Sequence, residues 1–304
     1  MKRTIFLLIL IIGGVILTQK ALAQGTTIAI SPVTFELTGG PGDIITNQLK
    51  VSNPSDNMIR IKMEVEDIAP AGEMGQVVVE PAETETYSLA RWIKIEPEEF
   101  TLEPKEQESV SFTISIPENA EPGGHYGTVL AGTSGVVGPK TTGTAIVQKV
   151  GALVLLTVPG EMKESLTVKD FSAPPYSEYG PIPFVIRFEN KGTVHVKPSG
   201  SVTVTNWLGR KVSDVGLPSR NVLPNSVRKF EVSLNKKWLW AGKYTATLTG
   251  SYGISNTPLV PTVISFWAFP WKVGVVILVV IILFILSRKR WMAAFKVLIK
   301  GEKT

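Results

Sequence analysis

Val110-Ser111-Phe112-Thr113-Ile114-Ser115-Ile116 alternates apolar and hydroxyl side chains without a break. A period of two places Val110, Phe112, Ile114 and Ile116 on one face of a strand and the serines and threonine on the other. The pattern returns downstream as Phe230-Glu231-Val232-Ser233-Leu234. Two further matches flank it in the same order. Leu102-Glu103-Pro104 answers to Val222-Leu223-Pro224, and Gly124-His125-Tyr126-Gly127-Thr128-Val129-Leu130 to Gly242-Lys243-Tyr244-Thr245-Ala246-Thr247-Leu248, at offsets of 118 to 120. Ordered matches at a near-constant offset indicate two copies of one structural unit. An earlier pair, Val51-Ser52-Asn53 and Phe188-Glu189-Asn190, stands 137 apart. The first copy therefore carries about 18 extra residues, which fall near Ala69 to Arg91. This Gly-, Pro- and Glu-rich stretch reads as an excursion loop, and such loops often carry recognition.

Outward from these matches the exported region keeps reading as strands. Ile59, Ile61, Met63 and Val65 alternate with charged residues, and Phe184, Ile186 and Phe188 do the same later, as do Val202 and Val204. Turn signals punctuate them at Gly39-Gly40-Pro41-Gly42, Asn53-Pro54-Ser55-Asp56-Asn57, Pro122-Gly123-Gly124 and Asn190-Lys191-Gly192. No stretch from Gln24 to Pro261 sustains a helical period. The expected fold is all-β: two tandem immunoglobulin-like β-sandwich domains, residues 24–159 and 160–263, meeting near Pro159-Gly160.

The ends set the compartment. Lys2 and Arg3, an apolar run from Ile5 to Leu17 and Ala21-Leu22-Ala23 form a secretory signal peptide over residues 1–23, cleaved after Ala23. At the other end Ile264 to Leu286 supplies 23 mostly apolar residues, enough for a transmembrane helix. Trp267, Trp271 and Lys272 suit the outer membrane interface, and Arg288, Lys289 and Arg290 the cytoplasmic one. Residues 287–304 then form a short basic cytoplasmic tail that lies along an anionic inner leaflet. The expected protein is a single-pass cell-membrane protein with both sandwiches outside.

The net charge of +5 suggests nucleic acid only until it is divided along the chain. Residues 24–159 hold 8 basic against 18 acidic groups, net −10, and residues 160–271 hold 13 against 7, net +6. From Lys272 onward there are 7 basic groups against 1 acid. The exported part is thus acidic overall, with a basic second domain beside the membrane, and nucleic acid is excluded as a partner. With no Cys among 304 residues, disulfide scaffolds, Cys-ligated metals and thiol catalysis are excluded as well.

Catalytic signals are sparse. His125 and His195 stand in no acid or nucleophile motif, and neither Gly-x-Ser-x-Gly nor His-Glu-x-x-His occurs. Gly132 to Gly143 is Gly- and Thr-rich but lacks the Gly-Lys-Ser/Thr of a phosphate loop, so it reads as a flexible hairpin. Glu96, Glu98, Glu99, Glu103, Glu106 and Glu108 crowd together without the spacing of a calcium loop, as do Glu80, Glu83 and Glu85, and both groups read as solvated faces. Nothing singles out a carboxylate pair for glycoside hydrolysis. No enzyme activity, metal or cofactor is expected. Trp92 reads as core. Trp207 lies in a turn-like Asn-Trp-Leu-Gly, and in Trp238-Leu239-Trp240 the two indoles share one side of a strand. They serve either core packing or a platform for sugar or protein. The residues singled out for partner binding are Trp207, Trp238, Trp240, Tyr126 and His125.

Ile30-Ser31-Pro32, Pro41-Gly42-Asp43, Leu49-Lys50-Val51-Ser52-Asn53-Pro54-Ser55-Asp56, Leu102-Glu103-Pro104, Val110 to Pro117 and Gly123 to Val129 resemble the WxL-interacting proteins of Gram-positive cell surfaces. Pilus-chaperone sandwiches share the Asn-Pro-Ser-Asp turn and the Leu-x-Pro step. The first resemblance implies a peptidoglycan-binding sandwich, a second sandwich that binds a host, a membrane span and a basic tail. The functional expectation is therefore a non-catalytic surface protein that binds a peptidoglycan-like envelope polymer or another exported protein. The alternative is a chaperone-like assembly factor that engages surface subunits by β-strand augmentation.

Overall fold

The computed structural model describes residues 28–80, 88–136 and 148–300, with side chains except at 80, 134–136 and 289–300. The expected signal peptide, Glu83, Glu85 and most of the Gly132–Gly143 segment lie outside the described residues. The first strands are β1 (Ala29–Ser31), β2 (Thr34–Thr38), β3 (Ile44–Ser52), β4 (Ile59–Ala71) and β5 (Gln76–Glu80). After a 3-10 turn at Ala90–Trp92 come β6 (Ile93–Glu96), β7 (Glu99–Leu102), β8 (Gln107–Ser115), β9 (Gly123–Val136) and β10 (Lys149–Val158). The second series is β11 (Leu166–Ser172), β12 (Tyr176–Ser177), β13 (Ile182–Asn190), β14 (Ser199–Asn206) and β15 (Lys211–Gly216), then β16 (Ser226–Leu234), β17 (Gly242–Tyr252), β18 (Thr257–Pro258) and β19 (Thr262–Ala268). Helix α1 (Trp271–Lys300) follows.

The fold is all-β with one C-terminal helix, and each series forms a pair of sheets. Sheet orders are β1-β3-β8-β6 and β2-β10-β9-β4-β5 in the first series, β11-β13-β16 and β12-β19-β17-β14-β15 in the second. Along these paths the two series match position by position, except that the first adds an edge strand, β6; beside them β7 pairs with β4 in the first series, whereas β18 pairs with β17 in the second. The repeat seen in sequence is thus a repeat of topology. By contacts the chain forms two compact units: unit 1 is residues up to Asp67, Pro81–Asn119 and Tyr126–Val154, and unit 2 is Ile68–Glu80, Ala120–His125 and the chain from Leu155. The last crossing falls at Val154–Leu155, and unit 2 also takes Ile68–Glu80 and Ala120–His125 from the earlier part of the chain.

In unit 1 the alternation of the opening stretch becomes burial. Val110, Phe112 and Ile114 are fully buried on β8, which pairs with β3 from Ile44↔Ser115 to Ser52↔Gln107. Phe35 meets Phe112 edge-on, with ring centroids 4.9 Å apart. β3 is followed at once by Asn53, whose sealed amide donates to the carbonyls of Asn57, Leu102 and Glu103 at 2.7, 3.2 and 2.9 Å. Its oxygen accepts from Ser55 N–H at 3.1 Å and from Ser55 Oγ at 2.6 Å. A buried amide is tolerable only with its hydrogen bonds made, and here they close the Asn-Pro-Ser-Asp turn.

Unit 2 repeats the device. β13 ends on Asn190, which donates to Val194 O at 2.9 Å and Val222 O at 2.8 Å and accepts from Gly192 N–H at 2.8 Å. β13 pairs with β16 from Ile182↔Leu234 to Asn190↔Ser226. Its core is aromatic: Phe188 and Phe230 lie edge-on at 5.1 Å, and Tyr244 stacks on Phe266 at 5.6 Å. Each fully buried Phe contributes about 1.5–3 kcal/mol through removal from water. The tip of the β4–β5 hairpin belongs to this unit. There Glu73 accepts from Arg187 Nε at 2.7 Å, and Arg187 Nη1 donates to Asp170 at 2.9 Å. The predicted excursion is therefore in part an ordered hairpin.

The expected membrane span, residues 264–286, needs correction at its start. Ile264, Phe266 and Ala268 belong to β19, which pairs with β17 from Gly242↔Ala268 to Leu248↔Thr262. Phe266 and Ala268 are buried in the core, so these apolar residues face protein. The stretch long and apolar enough to cross a membrane runs from Trp271 to Arg288, and none of it is buried.

β14 and β15 are tied on their exposed side by Asp214, which accepts from Lys211 Nζ at 2.7 Å and Thr203 Oγ1 at 3.1 Å. The Lys211 ammonium, followed by the Ser201 and Thr203 hydroxyls, pulls its carboxyl down from 3.8 to about 2. A depressed carboxylate stabilises fully above its unfolded value and loses that contribution as pH falls through its folded one. The tie should therefore be intact above pH 3.8 and lost near pH 2. Carboxyl-carbon NMR of the full chain checks this; titration at the ordinary Asp value would refute it.

Candidate functional site

One groove in unit 1 has walls that the second sandwich lacks. Its construction starts at Asp67, which is 5% exposed. Its carboxylate accepts from Ser88 Oγ at 2.6 Å and from the N–H groups of Leu89 and Ala90 at 2.9 Å each. These bonds pin the 3-10 turn to β4, while Leu89 is sealed in the core. Trp92, half-buried in that turn, donates its N–H to Leu89 O at 3.0 Å. β6 leaves the turn directly and pairs with β8 from Ile93↔Ile114 to Glu96↔Ser111. The extra edge strand is thus set in place by a buried carboxylate on β4.

The opposite wall is the outer edge of β4. β7 covers that edge from Ile59↔Leu102 to Lys62↔Glu99, and Met63 N–H donates to Glu98 O at 2.7 Å. Peptide groups of alternate residues on an antiparallel strand point the same way. Val65 N–H and C=O therefore point outward as Met63 N–H does. The pairing of β7 ends at Lys62↔Glu99, so β7 leaves the outer edge at Glu64–Glu66 uncovered. Between this edge and β6 lies a groove of about 570 Å³ lined by residues 62–66, Ile93, Lys94, Ile95, Glu98 and Lys149.

Its chemistry is mixed by alternation. Met63 and Ile95 are buried and Val65 and Ile93 half-buried, which supplies an apolar floor. Lys62, Lys94 and Lys149 stand against Glu64, Glu66 and Glu98 around it. Glu64 is shared: Lys149 Nζ holds one oxygen and Lys62 Nζ the other at 3.2 Å. The Lys149 ammonium, then Lys62, holds the Glu64 carboxyl below the usual carboxylate range, and Glu64 in turn raises Lys149. Lys94 and Glu96 pair at 2.7 Å and shift each other in the same senses. The depressed Glu64 stays ionised through neutral and mildly acidic pH, and the contribution of its pairs is lost only as pH falls through its lowered value. Such a rim discourages indiscriminate strand pairing while leaving the floor available.

The residues singled out in the sequence do not gather here. His125 and Tyr126 are 2% and 7% exposed, because Gly123-Gly124-His125-Tyr126 opens β9 and is not a turn. His125 Nε2 lies 2.9 Å from Glu121 O, and His195 is half-buried on another segment. Trp207, Trp238 and Trp240 do reach the surface, all on unit 2. The crowded acids act locally: Glu106 Oε2 accepts from Glu103 N–H at 2.7 Å, and Glu98 lends its carbonyl to β4. Among the described residues no three acids or histidines gather as metal ligands would. The groove itself joins residues about 30 apart, with Lys149 a further 85 from Glu64, and its only trace in sequence is the surplus carried by the first copy.

No family model matches the chain, and no curated protein matches it. The likeness to WxL-interacting proteins thus finds no match among them. Solved structures that resemble it include the class 5 fimbriae chaperone CfaA, at 16% identity over 80% of this chain and 100% of that one, with a TM-score of 0.38. The Pseudomonas aeruginosa CupB2 chaperone is similar at 12% identity, covering 79% and 100%, with a TM-score of 0.37. The CsuC–CsuE chaperone–tip adhesion subunit pre-assembly complex of Acinetobacter baumannii is similar at 12%, covering 67% and 89%, with a TM-score of 0.36.

Proposed function

We propose that this chain is a membrane-anchored, non-catalytic envelope protein that holds an extended segment of another exported protein in the unit 1 groove. The occupant adds as a strand to the outer edge of β4 at Glu64–Glu66. The observation that carries this reading is the outward-pointing peptide group of Val65 above an apolar floor, on a stretch of edge beyond the end of the β7 pairing. Main-chain hydrogen bonds would supply affinity, and alternate side chains of the guest would read the floor and the rim. Helix α1 would hold the protein at the membrane, where exported chains emerge. The likeness to WxL-interacting proteins would make the guest a wall-associated protein.

A photo-crosslinking residue at Ile93 in the full chain, expressed in its own host, tests the reading. It should trap an exported polypeptide. Val65→Pro removes one outward N–H and no bond to β9, so it should abolish the adduct while leaving the fold intact. Adducts with glycan alone, or adducts indifferent to Val65→Pro, would overturn the strand-addition mechanism.

A further inference from the structure

Sheet register brings most of the tryptophans of this chain to one end of unit 2. Asn206 of β14 pairs with Tyr244 of β17, and Lys243 and Gly242 of β17 pair with Trp267 and Ala268 of β19. The turn after β14, the loop before β17 and the exit from β19 are therefore neighbours. They carry Trp207, Trp238, Trp240, Trp267 and Trp271, five of the seven tryptophans of the chain. Their exposures are 67%, 69%, 89%, 56% and 48%. Closeness is direct at one point: a side chain on Gly242 would meet Trp207 Cδ1 at 2.8 Å.

These rings are held outward by structure. Leu239 is 4% exposed in the core, and Tyr244 Oη donates to Trp240 O at 2.9 Å. The loop is thus fastened at its centre while Trp238 and Trp240 project on either side of Leu239. Asn206 Oδ1 accepts from the N–H groups of Leu208 and Arg210 at 3.1 and 2.9 Å, which fixes the turn bearing Trp207. Ordered exposed indoles on a rigid frame suit a surface with an apolar side and a wet side.

The same end carries the root of α1. Phe269 N–H donates to Ser177 O at 3.1 Å, Tyr176 Oη to Phe269 O at 2.7 Å, and Lys272 pairs with Glu178 at 3.0 Å. Only Phe269-Pro270 separates β19 from the helix, a reach of at most about 7 Å. The polar layer of a bilayer is about 5–7 Å deep on each side. A span that starts at Trp271 therefore brings this end of the sandwich to the headgroups. Arg210, Lys236, Lys237 and Lys243 are exposed around the indoles, whereas the acids there, Glu178 and Asp214, are paired with Lys272 and Lys211. Indole and cationic side chains together match the headgroup layer, with phosphates for the cations and the acyl boundary for the rings.

We propose that the helix-bearing end of unit 2 is itself a membrane-binding surface, in which Trp207, Trp238 and Trp240 enter the headgroup layer of the outer leaflet beside Trp267 and Trp271. The proposal rests on α1 spanning the bilayer and is independent of the groove. It makes unit 2 a pedestal seated on lipid, not a domain swinging from a tether.

The test uses the full chain in nanodiscs whose lipids carry bromine near the top of the acyl chain. Trp207→Phe, Trp238→Phe, Trp240→Phe and Trp271→Phe each subtract one fluorophore, so the difference from the parent reports that indole alone. Exposed positions tolerate the change. The components at 207, 238 and 240 should be blue-shifted, strongly quenched by brominated lipid and shielded from aqueous iodide. If Trp271 is quenched by lipid while these three are quenched by iodide, the pedestal is wrong and they are left for a soluble partner. If Trp271 also escapes lipid quenching, the spanning helix fails and the pedestal with it.

Discussion

Asp67→Ala should destabilise unit 1 by at least about 3 kcal/mol, because it orphans three buried donors at roughly 1–3 kcal/mol each. Those donors are Ser88 Oγ and the N–H groups of Leu89 and Ala90, bonded at 2.6, 2.9 and 2.9 Å. Leu89 has no exposed surface, so water cannot replace the carboxylate without opening the core. Asp67→Asn separates charge from shape. Its carbonyl can still accept from the two N–H groups and its amide can donate to the Ser88 hydroxyl, so it should cost about 1 kcal/mol, the worth of an ordinary buried hydrogen bond. Urea unfolding of the full chain in detergent micelles reads both. An Ala variant within the scatter of surface substitutions would show that the 3-10 turn is held by something else. Since β6 departs from that turn, the Asn variant should keep the groove and the Ala variant lose it.

Phe230→Ala should cost about 3–5 kcal/mol, the range for emptying a core of a large aromatic. Phe230 is fully buried on β16 and meets Phe188 edge-on at 5.1 Å, so the change leaves a void and strips a ring partner from its neighbour. Trp240→Ala removes a larger side chain from the same unit and should change stability by no more than about 0.5 kcal/mol, as surface changes do. Trp240 is 89% exposed, and its neighbour Leu239 supplies the packing. Unfolding midpoints of the two variants, measured side by side, should differ in that sense. The reverse ranking would mean that the indole belongs to the fold and that the surface assigned to lipid does not exist.

The contrast between these residues shows what sequence carries and what it loses. Period two is a property of adjacent residues, so Val110, Phe112 and Ile114 disclosed their strand and their inward face at once. The equivalence of Asn53 and Asn190 was legible as an offset, though its cause, a buried amide closing each turn, needs coordinates. The start of the span was misplaced because Ile264, Phe266 and Ala268 lead into the apolar helix with only Phe269-Pro270 between strand and helix. A hydropathy run does not distinguish the last strand of a core from the first turn of a membrane helix. His125 and Tyr126 misled for a related reason: Gly123-Gly124 reads as a turn, but here it opens a strand that carries both side chains inward. The groove was least legible of all. Its essential atoms are backbone atoms of Val65 and side chains beyond an ordered turn, and a peptide group leaves no mark on composition. Only the surplus of residues in the first copy hinted that one sandwich had gained an edge the other lacks.

Strand addition to β4 is the central claim, and amide exchange measures it most directly. The full chain is isolated from its own membrane with its guest retained, and exchange is compared with the stripped protein at single-residue resolution. Val65 N–H, which points outward beyond the end of the β7 pairing, should exchange slowly in the complex and quickly without the guest. Unchanged exchange at Val65, with protection arising only elsewhere, would contradict the claim.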